Sequence, residues 1–256
     1  MHLNDNAKMP SRNDPNYDKL YKIRTLLEML SQNFLVYYKP SEKQAIDESM
    51  VKFKGKRTLK QYNPKNSIKR GFKIWVRADA HGFVCEFQVY TGKIDGLAEK
   101  QLGERVVKDL TNKIKNKNYQ VYFDNYFSSI NLLIDLKENG ILACGTLRSN
   151  RKGLPQTQIA EKNMHRGDYE SRTSYKGITW IKWKDNRSVQ FLSNFHDPSV
   201  ITTVGRRQEN GTMINYNCLQ ATKDYNCYMG AVDKADQLKS TYEISRKSMK
   251  WWHRLF

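Results

Sequence analysis

The first regular pattern in the chain is a run of apolar residues with a helical period. The residues that recur at intervals of three or four are Leu20, Ile23, Leu27, Leu30 and Phe34. This spacing places them on one helical face and predicts a helix over residues 17–38. Pro40 gives the stop signal, because proline cannot continue a helix.

A period of two replaces the helical period after Pro40. The predicted strands cover residues 44–54, 71–78 and 83–90. His81 and Gly82, between the last two strands, fit a hairpin turn. The pattern therefore predicts three strands in an antiparallel meander.

Helical and strand patterns then alternate. They predict a helix over residues 97–115, a strand over 119–123, a helix from Ser128 or Ser129 to Asn139-Gly140, and a strand over 141–146. A strand, a helix and a strand at this spacing indicate parallel pairing through a crossover. A meander followed by this alternation is the order of a ribonuclease H-like fold. The predicted class is therefore α/β with a mixed sheet, in which the first and fourth strands are neighbours.

Residues 147–217 lose the helical pattern. Two apolar runs, 178–183 and 189–195, flank Asp185 and Asn186, which predicts a hairpin inside a mostly β insertion. From about Met229 to the end of the chain the pattern is helical again.

Net charge predicts the class of partner. The 256 residues include 44 Lys and Arg against 26 Asp and Glu, a formal net charge of +18. Such an excess attracts a polyanion, because each phosphate contact releases counterions from the nucleic acid. A hydrophobic fraction of 39% is enough for a core and excludes a disordered basic tail. Nucleic acid is the predicted partner; an acidic protein, a membrane surface and a ribonucleoprotein particle are the alternatives.

Cysteine usage and hydropathy bear on the compartment. Cys85, Cys144, Cys218 and Cys227 form no CxxC pair, which fits a reducing compartment and gives no zinc-site spacing. No apolar stretch approaches the roughly 18 residues of a membrane span, and the first ten residues lack the apolar run of a secretory signal. These features predict an intracellular protein, and the charge favours the nucleus or a nucleoid.

Three aspartates lie at positions in the predicted elements where they could form one acidic site. Asp47 lies within the first strand, Asp124 ends the fourth, and Asp233 begins the last helix. Neighbouring strands would bring the first two to one edge of the sheet, where that helix could close a site. Grouped carboxylates repel one another unless cations fill the site, and hard oxygen donors favour Mg²⁺, with Mn²⁺ as a substitute. Two such ions can activate an attacking oxygen and stabilise a leaving oxygen in phosphodiester chemistry. The alternative is that the three aspartates are ordinary cap and turn residues.

Basic residues suited to DNA phosphates form three groups. They are Lys54, Lys56 and Arg57; Arg148, Arg151 and Lys152 with Asn150; and Arg246, Lys247 and Lys250 on the last predicted helix. Each group could also be a solvated charged surface. Trp251 and Trp252 could stack on bases or could pack within the protein, and packing is the preferred interpretation.

Five ordered motifs resemble the piggyBac-type transposases and their domesticated derivatives. They cover residues 45–50 with 53–56, 69–73, 123–129, 145–150 and 230–237. The resemblance implies a DDE/D-type catalytic triad of Asp47, Asp124 and Asp233, with Asp236 as a further metal-binding acid. It also implies hairpin-forming, Mg²⁺-dependent cut-and-paste transposition of double-stranded DNA at TTAA targets.

The resemblance implies a domain organisation as well. Residues 1–43 and 237–256 match helical parts of a dimerisation and DNA-binding domain, 44–148 and 218–236 match two parts of the catalytic domain, and 149–217 match the insertion. Family members usually extend further at both ends and carry a cysteine-rich zinc-binding module. We therefore expect a truncated or domesticated copy, and a homodimer in the complete protein.

Two functions of different classes stay open at this point. One is a metal-dependent DNA strand-transferase core; the other is a domesticated DNA-binding or chromatin protein that keeps the fold without cutting. An RNA-processing nuclease on the same fold is a third, to which the motif set points less directly.

Overall fold

The computed structural model describes residues 3–64, 66–93, 99–242 and 250–255. Its backbone contacts divide the chain into two compact units. The first unit consists of Met1–Ser41, Asp47–Lys100 and Val232–Phe256, and the second of Glu42–Ile46 and Gln101–Ala231. The division into five segments implied by the resemblance stays a prediction.

Five α-helices and eleven strands are formed by the described residues. The helices are α1 (Arg24–Tyr37), α2 (Leu102–Thr111), α3 (Ile130–Glu138), α4 (Gln220–Tyr228) and α5 (Ala231–Thr241). The strands are β1 (Lys43–Lys52), β2 (Lys60–Tyr62), β3 (Arg70–Asp79), β4 (Val84–Val89), β5 (Gln120–Phe123), β6 (Leu142–Leu147), β7 (Tyr169–Thr173), β8 (Thr179–Lys184), β9 (Ser188–Ser193), β10 (Ile201–Arg207) and β11 (Met213–Leu219). None of the described helices is both long and apolar enough to cross a membrane.

The first unit is built on the predicted helix and meander. A short 3-10 turn, Tyr21–Ile23, leads into α1, and the helix ends before Pro40 as predicted. β3 pairs antiparallel with β4, which confirms the hairpin. The sequence missed β2, which pairs antiparallel with β3, because three residues are too few to display a period of two.

One apolar cluster fills the core of the first unit. Its buried members are Leu20, Ile23, Leu27, Leu59, Phe72, Val89, Trp251 and Trp252. The apolar helical face and the strand faces therefore meet as their periods predicted. Both tryptophans are buried in this cluster, which confirms packing over base stacking.

The second unit contains the predicted crossover. The first residues of β1 pair in parallel with β5, from Lys43 opposite Gln120 to Ile46 opposite Phe123. β5 also pairs in parallel with β6, and α3 connects the two strands. Ser129 begins α3 by accepting a hydrogen bond from the backbone N–H of Leu132, which satisfies a donor that the first helical turn leaves unpaired.

The insertion is mostly β, as predicted. β8 and β9 form the predicted hairpin, β7 pairs with β8, and β9 pairs antiparallel with β6. β10 and β11 form a separate two-stranded sheet. Parallel and antiparallel ladders with flanking helices make the fold mixed α/β, as the sequence predicted.

Several helix boundaries differ from the predictions. α1 begins at Arg24 rather than at residue 17, and α2 ends at Thr111 rather than at residue 115. α2 begins only at Leu102, where Gln101 has a left-handed φ of 56°, and the predicted residues 97 and 98 lie outside the described residues. The helical pattern predicted from Met229 already begins with α4 at Gln220. The last helix does not run to the end of the chain: α5 ends at Thr241, and Trp251–Arg254 form a 3-10 turn whose tryptophans bury against the core of the first unit.

Candidate functional site

Asp47 lies at the point where β1 passes from the second unit to the first. Its neighbour Ile46 is the last residue of β1 that pairs with β5, and the Asp47 side chain is half-buried. The Oδ1 atom of Asp47 accepts a hydrogen bond of 2.7 Å from the backbone N–H of Glu48. The neighbouring acid, Glu48, has other partners. It accepts a hydrogen bond from the Asn63 side chain and forms an ion pair of 2.5 Å with Lys73.

Asp124 directly follows β5 and begins a turn. Its Oδ1 atom accepts from the backbone N–H of Tyr126 at 2.8 Å, and its carbonyl accepts from the Ser128 hydroxyl at 3.0 Å. The turn role that the sequence left open is therefore present. A turn role does not exclude a ligand role, because a carboxylate has about four acceptor positions on its two oxygens.

Asn125 connects this turn to the basic loop that follows β6. Arg148 donates from Nε to the Asn125 side-chain oxygen at 2.7 Å, and Arg151 donates from Nη2 to the Asn125 carbonyl at 3.2 Å. Both arginines are exposed, as are Asn150 and Lys152 in the same loop. Two predicted DNA-binding cations are thus fixed next to the residue that follows Asp124.

Asp233 and Asp236 both lie on α5. Asp233 is exposed, and Asp236 is half-buried. The Oδ1 atom of Asp236 accepts from the Ser49 hydroxyl and from the Lys239 ammonium, each at 2.6 Å. Lys239 also donates to the Ser49 hydroxyl oxygen at 2.9 Å. One carboxylate oxygen of Asp236, for which the resemblance implied metal binding, is therefore engaged by two residues of the protein.

The donor set suits a hard cation. Asp47, Asp124 and Asp233 offer only carboxylate oxygens, which are the ligands that Mg²⁺ and Mn²⁺ prefer. Across the described residues, no three His, Cys, Asp or Glu side chains are grouped so that they could hold a metal ion together. The metal role of the three aspartates therefore rests on their chemistry and their places in the sequence, and it stays a prediction.

The remaining basic groups have different surroundings. Lys54, Lys56 and Arg57 are exposed in the segment after β1, in the first unit. Lys250 is half-buried, with its ammonium 5.8 Å from the centre of the Trp252 ring. Arg246 and Lys247 lie outside the described residues. The DNA-binding role of all these side chains stays a prediction.

Sequence reasoning missed a buried polar network in the second unit. The Ser193 hydroxyl lies 2.7 Å from Nδ1 of His196, and Nε2 of His196 lies 3.1 Å from Asp224. Burial lowers the pKa of His196, and Asp224 opposes that shift. Because Ser193 and His196 are both buried, the network holds the end of β9 rather than presenting a nucleophile.

Burial determines the reactivity of two of the cysteines. Cys85 and Cys144 are buried free thiols. Burial raises the pKa of the Cys85 thiol to about 12, and it also raises the pKa of Cys144. Neither thiol is therefore a nucleophile near neutral pH, since the thiolate is the reactive form.

The fold and motifs together define a transposase-type core. The family model described as Transposase IS4 matches residues 1–256, and the chain belongs to this family of transposases. The fold agrees with that assignment. A solved structure of a piggyBac transposase synaptic complex with hairpin DNA superposes with a TM-score of 0.76 at 24% identity, covering 91% of this chain and 48% of that chain.

Two similar curated proteins are human and carry the piggyBac name. The chain is 30% identical to PiggyBac transposable element-derived protein 3 over 98% of its own length and 43% of that protein. It is 26% identical to PiggyBac transposable element-derived protein 2 over 98% of its length and 43% of that protein. The chain thus spans less than half the length of these relatives. The family resemblance seen in the five motifs is confirmed.

Proposed function

We propose that this chain is the catalytic core of a cut-and-paste DNA transposase. The observation that carries the proposal is the Asn125 bridge, which fixes Arg148 and Arg151 beside the turn that begins at Asp124. Guanidinium groups bind phosphate oxygens in bidentate fashion, and Arg148 and Arg151 are exposed. A DNA strand bound by this loop would have its backbone close to the Asp124 carboxylate.

The proposed metal ligands are Asp47, Asp124 and Asp233, which would hold Mg²⁺ or, in its place, Mn²⁺. When bound, such ions activate an attacking oxygen and stabilise the leaving oxygen of a phosphodiester. The role of the protein is to place carboxylates and cations around the strand: the turn contacts of Asp124 restrict that side chain, and the arginines hold the phosphates. The net charge of +18 adds attraction over a longer range.

The finer parts of the proposal follow the relatives. Double-stranded transposon ends and TTAA targets would be the substrates, the complete protein would act as a homodimer, and the nucleus would be its compartment. The matched piggyBac structure is itself a synaptic complex with hairpin DNA, which supports DNA as the partner.

A second candidate is a domesticated DNA-binding or chromatin protein that does not cut. The names of the relatives favour it, since the curated proteins are described as transposable element-derived. Such a protein would need the basic loop but not the carboxylates.

Melting curves with increasing Mn²⁺ test the proposal and separate the two candidates. A ligand that binds only the native state raises the melting temperature by mass action, so the parent chain should gain stability with Mn²⁺ and Asp124→Asn should gain less. Asp135→Asn, which changes a partly exposed acid of α3 in the same unit, is the matched control and should behave like the parent.

Nicking of TTAA-containing duplexes with Mg²⁺ completes the test. Asp124→Asn should lose nicking while it keeps DNA binding. Equal melting curves for parent and Asp124→Asn, together with unchanged DNA binding, would reject the metal-dependent core in favour of the non-cutting protein.

A further inference from the structure

The side chains of Ser49, Asp236 and Lys239 form a closed hydrogen-bonded triangle within the first unit. Ser49 donates to Asp236 Oδ1 at 2.6 Å, Lys239 donates to the same oxygen at 2.6 Å, and Lys239 also donates to the Ser49 hydroxyl at 2.9 Å. Ser49 is buried, with 4% of its surface exposed. A buried hydroxyl with two short contacts is a fixed attachment point for the helix that carries Asp236.

The triangle joins the two elements that carry two of the proposed metal ligands. Asp47 and Ser49 are two residues apart on β1, so their side chains project from the same face, about 6.6–6.8 Å apart along the strand. Asp233 and Asp236 are one turn apart on α5, about 4.5 Å along its axis. A shift of α5 along β1 would therefore change the position of Asp233 relative to Asp47.

Few other contacts fix the position of α5 along the strand. Ala231, Val232 and Ala235 are its buried residues, whereas Leu238 is 47% exposed. Gly82 approaches the helix closely: a Cβ atom at this position would lie 3.1 Å from Leu238 Cδ1 and 3.2 Å from the Ala235 nitrogen. The exposed Lys234 also donates a long hydrogen bond of 3.4 Å to the Ala80 carbonyl in the β3–β4 turn. These contacts hold the helix against the turn, but small apolar contacts and one long exposed hydrogen bond specify its axial register weakly. The polar triangle supplies that register.

Charge also favours a supporting role for Asp236. Another carboxylate one turn from Asp233 would add to the repulsion among the ligands. The ammonium of Lys239 at 2.6 Å from Asp236 offsets that charge locally. Ser49 and Lys239 occupy the two acceptor positions of Asp236 Oδ1, so a metal ion would have to bind through Oδ2 or displace one of these contacts.

We propose that Asp236 is a positioning residue, which acts through Ser49 and Lys239 to set the register of α5 on β1 and hence the spacing of Asp47 and Asp233. This role rests on the proposed function, since it matters only if those two carboxylates bind metal ions. It differs from the direct metal-binding role that the family resemblance implied for Asp236.

The test is Mn²⁺ binding to the whole chain, with the free ion measured by electron paramagnetic resonance. Ser49→Ala and Asp236→Asn should each raise the Kd roughly 10- to 100-fold, the usual effect of removing a residue that orients a ligand, and leave the number of bound ions unchanged. The double variant should bind about as well as either single variant, because both changes remove the same contact.

Two control variants exclude trivial causes. Ser240→Ala removes a hydroxyl of α5 that donates within its own helix, to the Gln237 carbonyl, and should keep the parent Kd. Trp252→Ala lowers the stability of the same unit by opening its core, and below its melting temperature it should also keep the parent Kd.

The outcomes separate the two proposals. Loss of a bound ion in Asp236→Asn, or an unchanged Kd in Ser49→Ala while the parent binds Mn²⁺, overturns the positioning role and leaves the proposed function standing. A parent chain that binds no Mn²⁺, or binds it as well after Asp47→Asn, overturns the proposed function and this role with it.

Discussion

Ile46 of β1 and Phe123 of β5 lie opposite each other in a parallel ladder of the second unit. Each is followed in the chain by an aspartate, so both predicted ligands come directly after the last paired residues of this ladder. The sequence predicted that the strands carrying Asp47 and Asp124 are neighbours, and the ladder confirms it. The chemistry proposed for these acids depends on that pairing, since a slip of one residue would turn a side chain to the other face of the sheet.

Gly145 of β6 should be needed for the packing of β6 against β5, the strand that Asp124 follows. A Cβ atom on Gly145 would lie 2.7 Å from Phe123 Cδ2 and would also collide with the Ser128 hydroxyl. We expect Gly145→Ala to lower the free energy of unfolding by about 1–3 kcal/mol, as overpacking of a core usually does. Urea denaturation measures this. Gly230→Ala is the matched control, because a Cβ there meets nothing within 4 Å; equal losses in the two variants would contradict the prediction.

His196 should make stability depend on pH. Burial lowers its pKa in the folded protein, whereas the unfolded chain has the ordinary value of about 6.5. Below that value the unfolded state takes up the proton more readily, so the free energy of unfolding should fall as the pH drops from 7 to 5. His196→Gln should reduce this slope, although it also costs stability at pH 7. His165→Gln is the control, because the His165 side chain is 93% exposed, and it should keep the slope. Equal pH profiles for the two variants would show that His196 is not the source of the pH dependence.

Trp252 should contribute strongly to the stability of the first unit. It is 7% exposed and contacts the cluster formed by α1 and the strands of that unit. Trp252→Ala should lower the free energy of unfolding by about 3–5 kcal/mol, the usual cost of a large aromatic truncation in a core. Tyr242→Ala, which removes an 82% exposed ring, should change it little. Fluorescence-monitored denaturation distinguishes the two, and a small loss for Trp252→Ala would show that the ring is dispensable for packing.

Arg148 should contribute directly to DNA affinity. Its removal should weaken binding to duplexes of any sequence and should reduce the slope of log K against log salt by about 1, because one phosphate contact is lost. Asn125→Ala should weaken binding less, since it frees the guanidinium without removing it. Fluorescence anisotropy at several salt concentrations measures both. Lys117→Ala, at an exposed position after α2, is the control; the same slope for Arg148→Ala and the parent would reject the contact.

The sequence by itself determined much of the fold. Each correct prediction rested on the local periodicity of apolar residues. The apolar spacing of α1, the alternation in β3 and β4, and the strand–helix–strand order around α3 each required a buried face or a crossover. The same logic failed where a segment was too short to show its period, as in β2. It also failed where burial of distant residues decided the local conformation, as at Trp251 and Trp252.

Only the tertiary structure decided the partners of the candidate residues. The sequence placed acids at strand ends and on the last helix, but nothing local indicated that Ser49 and Lys239 would engage Asp236, or that Asn125 would bridge Arg148 and Arg151. Side chains separated by tens to hundreds of residues meet only after the strands have paired and the helices have packed. Most element types follow from neighbours in the chain, whereas the hydrogen bonds of a site are fixed by neighbours in space.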